Sequence, residues 1–195
     1  MIRVRHIQET TLRFLTLLTF LVLSCALGNA WADNPVPEGD SYTGEYRNGQ
    51  KHGQGVYTWA NGDRYEGGYR KGQLHGDGRF DWANGNSYEG GYRNGKRNGK
   101  GTFKWASGKT YTGQFRDNKM QGEGVLVWAS GDYYKGYFNK NVMEGHGSHY
   151  TTSGDRQTGY WREGALWDGW VYGANGSACE VLKHKSVIPG CVSFD

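Results

Sequence analysis

Arginines at a fixed interval are the first residues of this chain whose type and spacing suggest chemistry. Arg47, Arg70, Arg93 and Arg116 follow one another every 23 residues, and Arg162 keeps the phase after one skipped position. Lys96, Arg97 and Lys119 stand close to them in sequence. A guanidinium presents a planar fork of donors that matches phosphate or carboxylate, so a line of them suits an anionic surface. Beside Glu on a solvated face, the same residues serve only to keep a sheet soluble. Gly-x-Gly pairs such as Gly53 and Gly55 look like the start of a phosphate-cradling loop. They lack the third glycine, lead into a strand pattern and recur along the chain, which argues against a nucleotide site. His146 and His149 are the nearest approach to a metal pair, yet three residues apart on a strand they face opposite ways. His52 and His75 occupy matching turn positions as polar filler. No Ser, Thr or Cys has a base and an orienting acid beside it, and Glu45, Glu66 and Glu89 sit at equivalent places. The expectation is no catalytic residue, no metal and no cofactor.

The elements that position these residues follow from the 23-residue period. Rows open at Tyr42, Tyr65, Tyr88, Tyr111 and Tyr134 without a gap, and a sixth, more divergent row, one residue short, opens at Gln157. Each begins with an alternation such as Tyr42-Thr43-Gly44-Glu45-Tyr46-Arg47, the period of a half-buried strand. Tyr42 and Tyr46 then share a face, and Gly44 between them leaves a flat slot for a neighbouring ring; Gly67, Gly90, Gly113 and Gly136 repeat it. Next come Asn48-Gly49, Lys71-Gly72, Asn94-Gly95, Asp117-Asn118, Lys140-Asn141 and Glu163-Gly164. Their second residue is always Gly or Asn, the types that tolerate positive φ, which predicts a tight hairpin turn. A second strand follows, such as Val56-Tyr57-Thr58-Trp59, and Ala-Asn-Gly or Ala-Ser-Gly turns the chain into the next row.

Three ladders result: Tyr42, Tyr65, Tyr88, Tyr111 and Tyr134; Tyr46, Tyr69, Tyr92, Phe115, Phe138 and Trp161; and Trp59, Trp82, Trp105 and Trp128. Two strands per row at ~4.8 Å advance a sheet by ~10 Å per repeat. The predicted fold is all-β: an elongated single-layer antiparallel sheet of consecutive hairpins, stabilised by repeat and neighbour contributions. The aromatic rows hold such a thin sheet together; rings left exposed would stack on sugars or a partner protein. The arginine row falls on the opposite face.

Composition agrees. The chain has 33 Gly but only 3 Pro, with 15% aromatic residues, which fits short strands and tight turns better than disorder. Arg3, Arg5 and Arg13 precede the apolar run at 14–23, and Ala30-Trp31-Ala32 follows, the pattern of a signal peptide cleaved after Ala32. The run is short for a membrane span of ~20 residues. Val22-Leu23-Ser24-Cys25 also fits a permissive lipobox, so a lipoprotein anchored at Cys25 is the alternative. Either leaves Cys179 and Cys191, which in an exported chain are expected to pair; a loop of that size contributes about 3 kcal/mol. The net charge of +4 falls to about +2 without the leader's Arg3, Arg5, Arg13 and Glu9, too little to suggest nucleic acid.

The motif of Tyr42, Gly44, Gly49, Gly53, Gly55 and Gly62, repeated in the following rows, resembles the membrane occupation and recognition nexus, or MORN, family. Asn118 and Asn141 depart from it in place of Gly, and Thr151 in place of Trp. The resemblance implies a scaffold or binding module, with membrane or lipid association in some members and self-association in others. The expected organisation is a signal peptide over 1–32, a linker over 33–41, a repeat array over 42–177 and a C-terminal cap over 178–195. The expected function is protein–protein interaction or self-association by a periplasmic or secreted scaffold. Binding of anionic lipid or envelope polymer along the arginines is one alternative, and glycan binding through the aromatic rows is another.

Overall fold

The computed structural model describes residues 36–183 and 185–186. The expected leader with Cys25, residues 33–35 of the expected linker, and Cys191 lie outside the described residues. The described residues contain no helix and form one antiparallel sheet whose fourteen strands lie side by side in chain order. Five repeats each supply a strand of seven residues and one of nine: β1 Ser41–Arg47 and β2 Gln50–Thr58, β3 Arg64–Arg70 and β4 Gln73–Asp81, β5 Ser87–Arg93 and β6 Lys96–Lys104, β7 Thr110–Arg116 and β8 Lys119–Val127, β9 Tyr133–Asn139 and β10 Val142–Tyr150. The sixth supplies β11 Arg156–Arg162 and β12 Ala165–Tyr172, and the cap adds β13 Ala178–Leu182 and β14 Lys185–Ser186.

Each hairpin turns through two residues that both have positive φ, from Asn48 (50°) and Gly49 (69°) to Glu163 (53°) and Gly164 (87°). Two such residues make a type I′ turn, whose twist matches that of the flanking strands. The first glycine of Gly-x-Gly then takes a left-handed conformation, as at Gly76 (φ 75°), and bulges the longer strand: Gly67 pairs with Gly78, but Tyr69 pairs with Leu74. The sixth repeat lost its residue here. Trp161 pairs with Leu166 and Tyr160 with Asp168, so the bulge shrinks while the register on either side survives.

Between repeats, an Asp or Asn at the end of the row clamps the next turn, except in the third row, where Lys109 stands. Asp63 Oδ1 accepts from Ala83 N at 2.8 Å, Asn86 Oδ1 from Ala106 N at 2.9 Å, and Asp155 Oδ1 from Ala174 N at 2.9 Å. Asp40 does the same for Ala60 N at 2.8 Å, and Gly39 has the φ of its counterpart Gly62, 86° against 90°. Val36–Asp40, within the expected linker, therefore form a closing turn like that of a full repeat, with Val36 packed on the core where later repeats place Trp. At the other end Cys179 pairs in register with Val171, the station of a seventh Tyr, and is disulfide-bonded.

The core is one face of a single layer. Tyr65, Tyr88, Tyr111 and Tyr134 are wholly buried, and Tyr57, Tyr69, Tyr92, Phe103, Phe115, Phe138 and Trp161 nearly so. Each first-column Tyr lies flat along its own strand, over the glycine two residues on and that glycine's cross-strand partner. A Cβ on Gly67 would sit 2.5 Å from Gly78 Cα and 2.6 Å from Tyr65 Oη. The slot thus holds the repeat's own ring, where the sequence suggested a neighbour's. The hydroxyl then reaches a carbonyl three residues along: Tyr65 to Gly68 O at 3.1 Å, Tyr88 to Gly91 O at 3.1 Å and Tyr111 to Gln114 O at 3.0 Å. Second-column rings close edge-on from both sides. Tyr65 meets Tyr69 of its own repeat (5.3 Å, 87°) and Tyr92 of the next (5.3 Å, 88°), a geometry favoured by the ring quadrupole. Repeated along the sheet, this herringbone is what replaces a second layer.

Candidate functional site

On the packed face the Tyr and Phe ladders are buried from the second repeat on, while the ladder of Trp59, Trp82, Trp105 and Trp128 is half-buried. The surfaces open to partners are the reverse face and the edge at β1.

Arg47, Arg70, Arg93, Arg116 and Arg162 are all exposed on the reverse face, near the hairpin tips. Among the described residues Arg47, Arg70, Arg93 and Arg116 make no ion pair; the salt bridges instead join Arg64 to Glu66, Arg79 to Asp81 and Glu89, and Lys96 to Asp117. Lys96 and Lys119 stand across the turn from Arg93 and Arg116, so they extend the row. Arg97 does not belong to it. One residue past Lys96 its side chain points to the aromatic face, at the station of Leu74 and Met120. Its guanidinium lies 4.9 Å from the Phe103 ring and 5.6 Å from those of Tyr88 and Phe115, and donates to Asn118 O at 3.1 Å. Burial pushes its pKa down, and its work is to roof the core by cation–π contact. Lys51 takes the same station in the first repeat, 3.9 Å from the Tyr57 ring.

His146 and His149 fall on opposite faces, as their spacing predicts: His149 packs edge-on to Trp128 at 5.1 Å and His146 to Tyr160 at 5.5 Å. Among the described residues no cluster of His, Cys, Asp or Glu is arranged to hold a metal, and no helix is long and apolar enough to cross a membrane.

The reverse face holds what repeat counting missed. Three rows of residues cross the strands there. In the first four repeats they contain Ser41, Thr43 and Glu45, Arg64, Glu66 and Arg79, Ser87, Glu89 and Lys104, Thr110, Thr112 and Glu123, with no aromatic side chain. From Tyr133 onward the same stations carry Tyr133, Tyr137, Tyr150, Tyr160, Trp170 and Tyr172. Tyr133 and Tyr150 stack at 4.6 Å and 13°, and the Arg156 guanidinium lies 4.3 Å from the Tyr172 ring. The signal was legible as two adjacent aromatics, Tyr133-Tyr134, one for each face.

The edge is the second surface. Tyr46 on β1 is 47% exposed, whereas its counterparts Tyr69, Tyr92, Phe115, Phe138 and Trp161 are 2–6% exposed. Among the described residues no preceding strand covers it.

Five consecutive segments, residues 42–64, 65–87, 88–110, 111–133 and 134–156, match the MORN repeat. No curated protein matches the sequence. Among solved structures the chain is similar to the SAS-4 (dCPAP) TCP domain, in complex with a proline rich motif of Ana2 (dSTIL), of Drosophila melanogaster. That likeness has 12% identity and a TM-score of 0.47, over 78% of this chain and 84% of that one. The matched segments span more than half of the chain, and with the hairpin period, the tyrosine-filled glycine slots and the turn clamps they show that it belongs to the MORN repeat family.

Proposed function

We propose that this protein is a non-catalytic, exported scaffold that works by self-association or by binding a protein partner at the β1 edge of its sheet. The observation that carries the reading is the exposed Tyr46 on a strand that, among the described residues, has no neighbour on its outer side. An open strand edge is a template for another strand. A second copy adding its β1 antiparallel about Gly44 would bring Tyr46 of each chain against Tyr42 of the other, continuing the herringbone. The leader read from the sequence supports this, because cleavage after Ala32 leaves only residues 33–35 ahead of Val36. Such a stub reaches ~10 Å, short of the ~23 Å of a seven-residue strand. Light scattering of residues 33–195 should give a dimer, and Tyr46→Arg should return it to monomer; a monomer for both removes self-association, and failure of the unsubstituted chain to capture a protein that Tyr46→Arg loses removes the edge as a docking site. Mass spectrometry of the native N-terminus separates Asp33 from a lipidated Cys25.

The unpaired arginines favour a second reading, peripheral binding to anionic lipid or envelope polymer. Vesicles containing anionic phospholipid should then co-sediment with the protein in a way that weakens steeply with salt. Replacing Arg47, Arg70, Arg93 and Arg116 together by Gln should abolish it, and unchanged co-sedimentation would exclude the row as the contact.

A further inference from the structure

The glycines that receive the tyrosine rings on one face leave the other face without side chains along the same line. A trough therefore runs across the strands on the reverse face, floored by Gly67, Gly78 and Gly90 and continued by Gly101 and Gly113. Its N-terminal stretch encloses about 790 Å³ between walls that include Glu66, Asp77, Arg79 and Glu89. Followed into the fifth and sixth repeats, the floor becomes Gly136, Gly147, Gly159 and Gly169, which pair across successive strands. There one wall is Tyr137, His146 and Tyr160, and the other is Lys135, Ser148, Thr158 and Trp170. Tyr137 is 46% exposed, Tyr160 41% and Trp170 43%.

Three properties of the trough select its occupant. It is linear and crosses strands at ~4.8 Å intervals, close to the advance per residue of an extended β-linked pyranose chain. An extended peptide advances ~3.3 Å per residue and cannot hydrogen-bond to strands it crosses at right angles. Charge along the walls alternates, with Arg79, Lys100, Lys104 and Lys135 set among Glu66, Asp77, Glu89, Glu123 and Asp168, so a polyanion or polycation would meet as many repulsive groups as attractive ones. Exposed rings at one end face a row of hydroxyls and amines, and Ser148 Oγ and Thr158 Oγ1, bonded to each other at 2.7 Å, keep lone pairs free. A sugar ring needs that pairing: its C–H face lies on an aromatic ring and its hydroxyls need polar partners.

We propose that the reverse-face trough binds a linear, uncharged, β-linked polysaccharide, with Tyr137, Tyr160 and Trp170 as its stacking platform. The site is separate from the β1 edge, and so is its test. Calorimetric titration of residues 33–195 with cello-, chito- and manno-oligosaccharides, with polygalacturonate as the charged control, should show binding to at least one neutral series and none to the control. Trp170→Ala and Tyr160→Ala should each weaken it about tenfold, the equivalent of one aromatic contact, with the melting profile retained. Saturation-transfer NMR on the unsubstituted protein should place the sugar against Tyr and Trp ring protons. Tyr46→Arg should leave the titration unchanged. Failure to bind any neutral series, preference for polygalacturonate, or a Trp170→Ala variant that changes the mass in solution but not sugar binding would overturn the proposal.

Discussion

The second to fourth repeats and the last two share a backbone plan but distribute their aromatic residues differently. Between Tyr65 and Trp128 the Tyr, Phe and Trp rings are all on the packed face: Tyr in the first column, Tyr or Phe in the second, Phe80 and Phe103 in the third, where Leu126 takes the fourth repeat's place, and Trp in the fourth. In the fifth and sixth repeats that face thins. Gln157 replaces a Tyr, His149 and Val171 replace Phe, and Thr151 and Gly173 replace Trp, while Tyr137, Tyr150, Tyr160, Trp170 and Tyr172 stand on the reverse face. The strand register hardly changes, since Gly124 opposes Gly136 and Gly159 opposes Gly169 as Gly78 opposes Gly90. Type I′ turns and glycine pairs therefore set the register, and the columns of rings decide how much stability each repeat contributes. One region is built to hold the sheet; the other has moved part of its apolar surface to where a ligand can reach it.

The widest test of that division is alkaline pH, which acts on every intact column at once. Burial pushes Tyr88, Tyr111 and Tyr134 up to about 12, and Tyr57 as well. Their folded pKa values lie above the unfolded value of about 10, so their stabilising contribution is complete below that pH. It is lost as pH rises toward 12, because the unfolded chain ionises first. The melting temperature should fall across this window together with the rise in phenolate absorbance. Phenolate appearing near pH 10 with no loss of structure would show that the columns do not hold the sheet.

Next in size is a single methyl group in the slot. A Cβ on Gly101 would stand 2.6 Å from Tyr88 Cζ and 2.7 Å from Cε2, atoms pinned by Phe115 on one side and Tyr92 on the other. Gly101→Ala should cost about 3 kcal/mol in chemical denaturation, the upper range for overpacking a tight core. The sixth repeat offers the reverse experiment, since its slot of Gly159 and Gly169 has no ring above it. Gln157→Tyr should fill it and raise stability by about 2 kcal/mol, making the last repeat behave like those before it. Unchanged or reduced stability would mean that the shrunken bulge at Trp167 and Asp168 has closed the slot.

Much of this was readable from residue types. The period, the two-residue turns and the all-β single layer follow from spacing alone, and the structure agrees with each; the glycine slots follow too, but the ring in each belongs to its own repeat and not to a neighbour. Arg97 departs from the basic row because closeness in sequence to Lys96 is not closeness in space; the two-residue turn fixes Lys96 opposite Arg93 and so sends the next residue to the other face. The aromatic reverse face escaped because its residues belong to no repeating column. Reading a repeat by what recurs hides what a single repeat does differently, and the one-residue-shorter bulge of the sixth repeat shifts side-chain parity between Leu166 and Gly169, which the longer bulges of the other repeats do not. Val36–Asp40 were hidden for a related reason: Pro37-Glu38-Gly39-Asp40 shares only Gly and Asp with Ala60-Asn61-Gly62-Asp63, yet those two residues suffice for the turn and its clamp.

The smallest effect distinguishes the two tyrosine columns and explains why one tolerates substitution and the other does not. First-column hydroxyls each have a carbonyl to bond, and that column is Tyr in all five full repeats. The hydroxyls of Tyr69 and Tyr92 are buried without a partner, and further along the same column the sheet carries Phe115, Phe138 and Trp161, whose indole nitrogen donates to Gly147 O at 3.0 Å. Removing an unsatisfied buried hydroxyl relieves a desolvation cost, whereas removing a bonded one leaves a carbonyl orphaned. Tyr69→Phe should therefore stabilise the protein by about 1 kcal/mol, and Tyr65→Phe, the same atom deleted four residues earlier, should destabilise it by a similar amount. Equal shifts of the same sign in paired denaturation curves would mean that ring packing alone, and not the hydroxyl bond, keeps the first column as tyrosine.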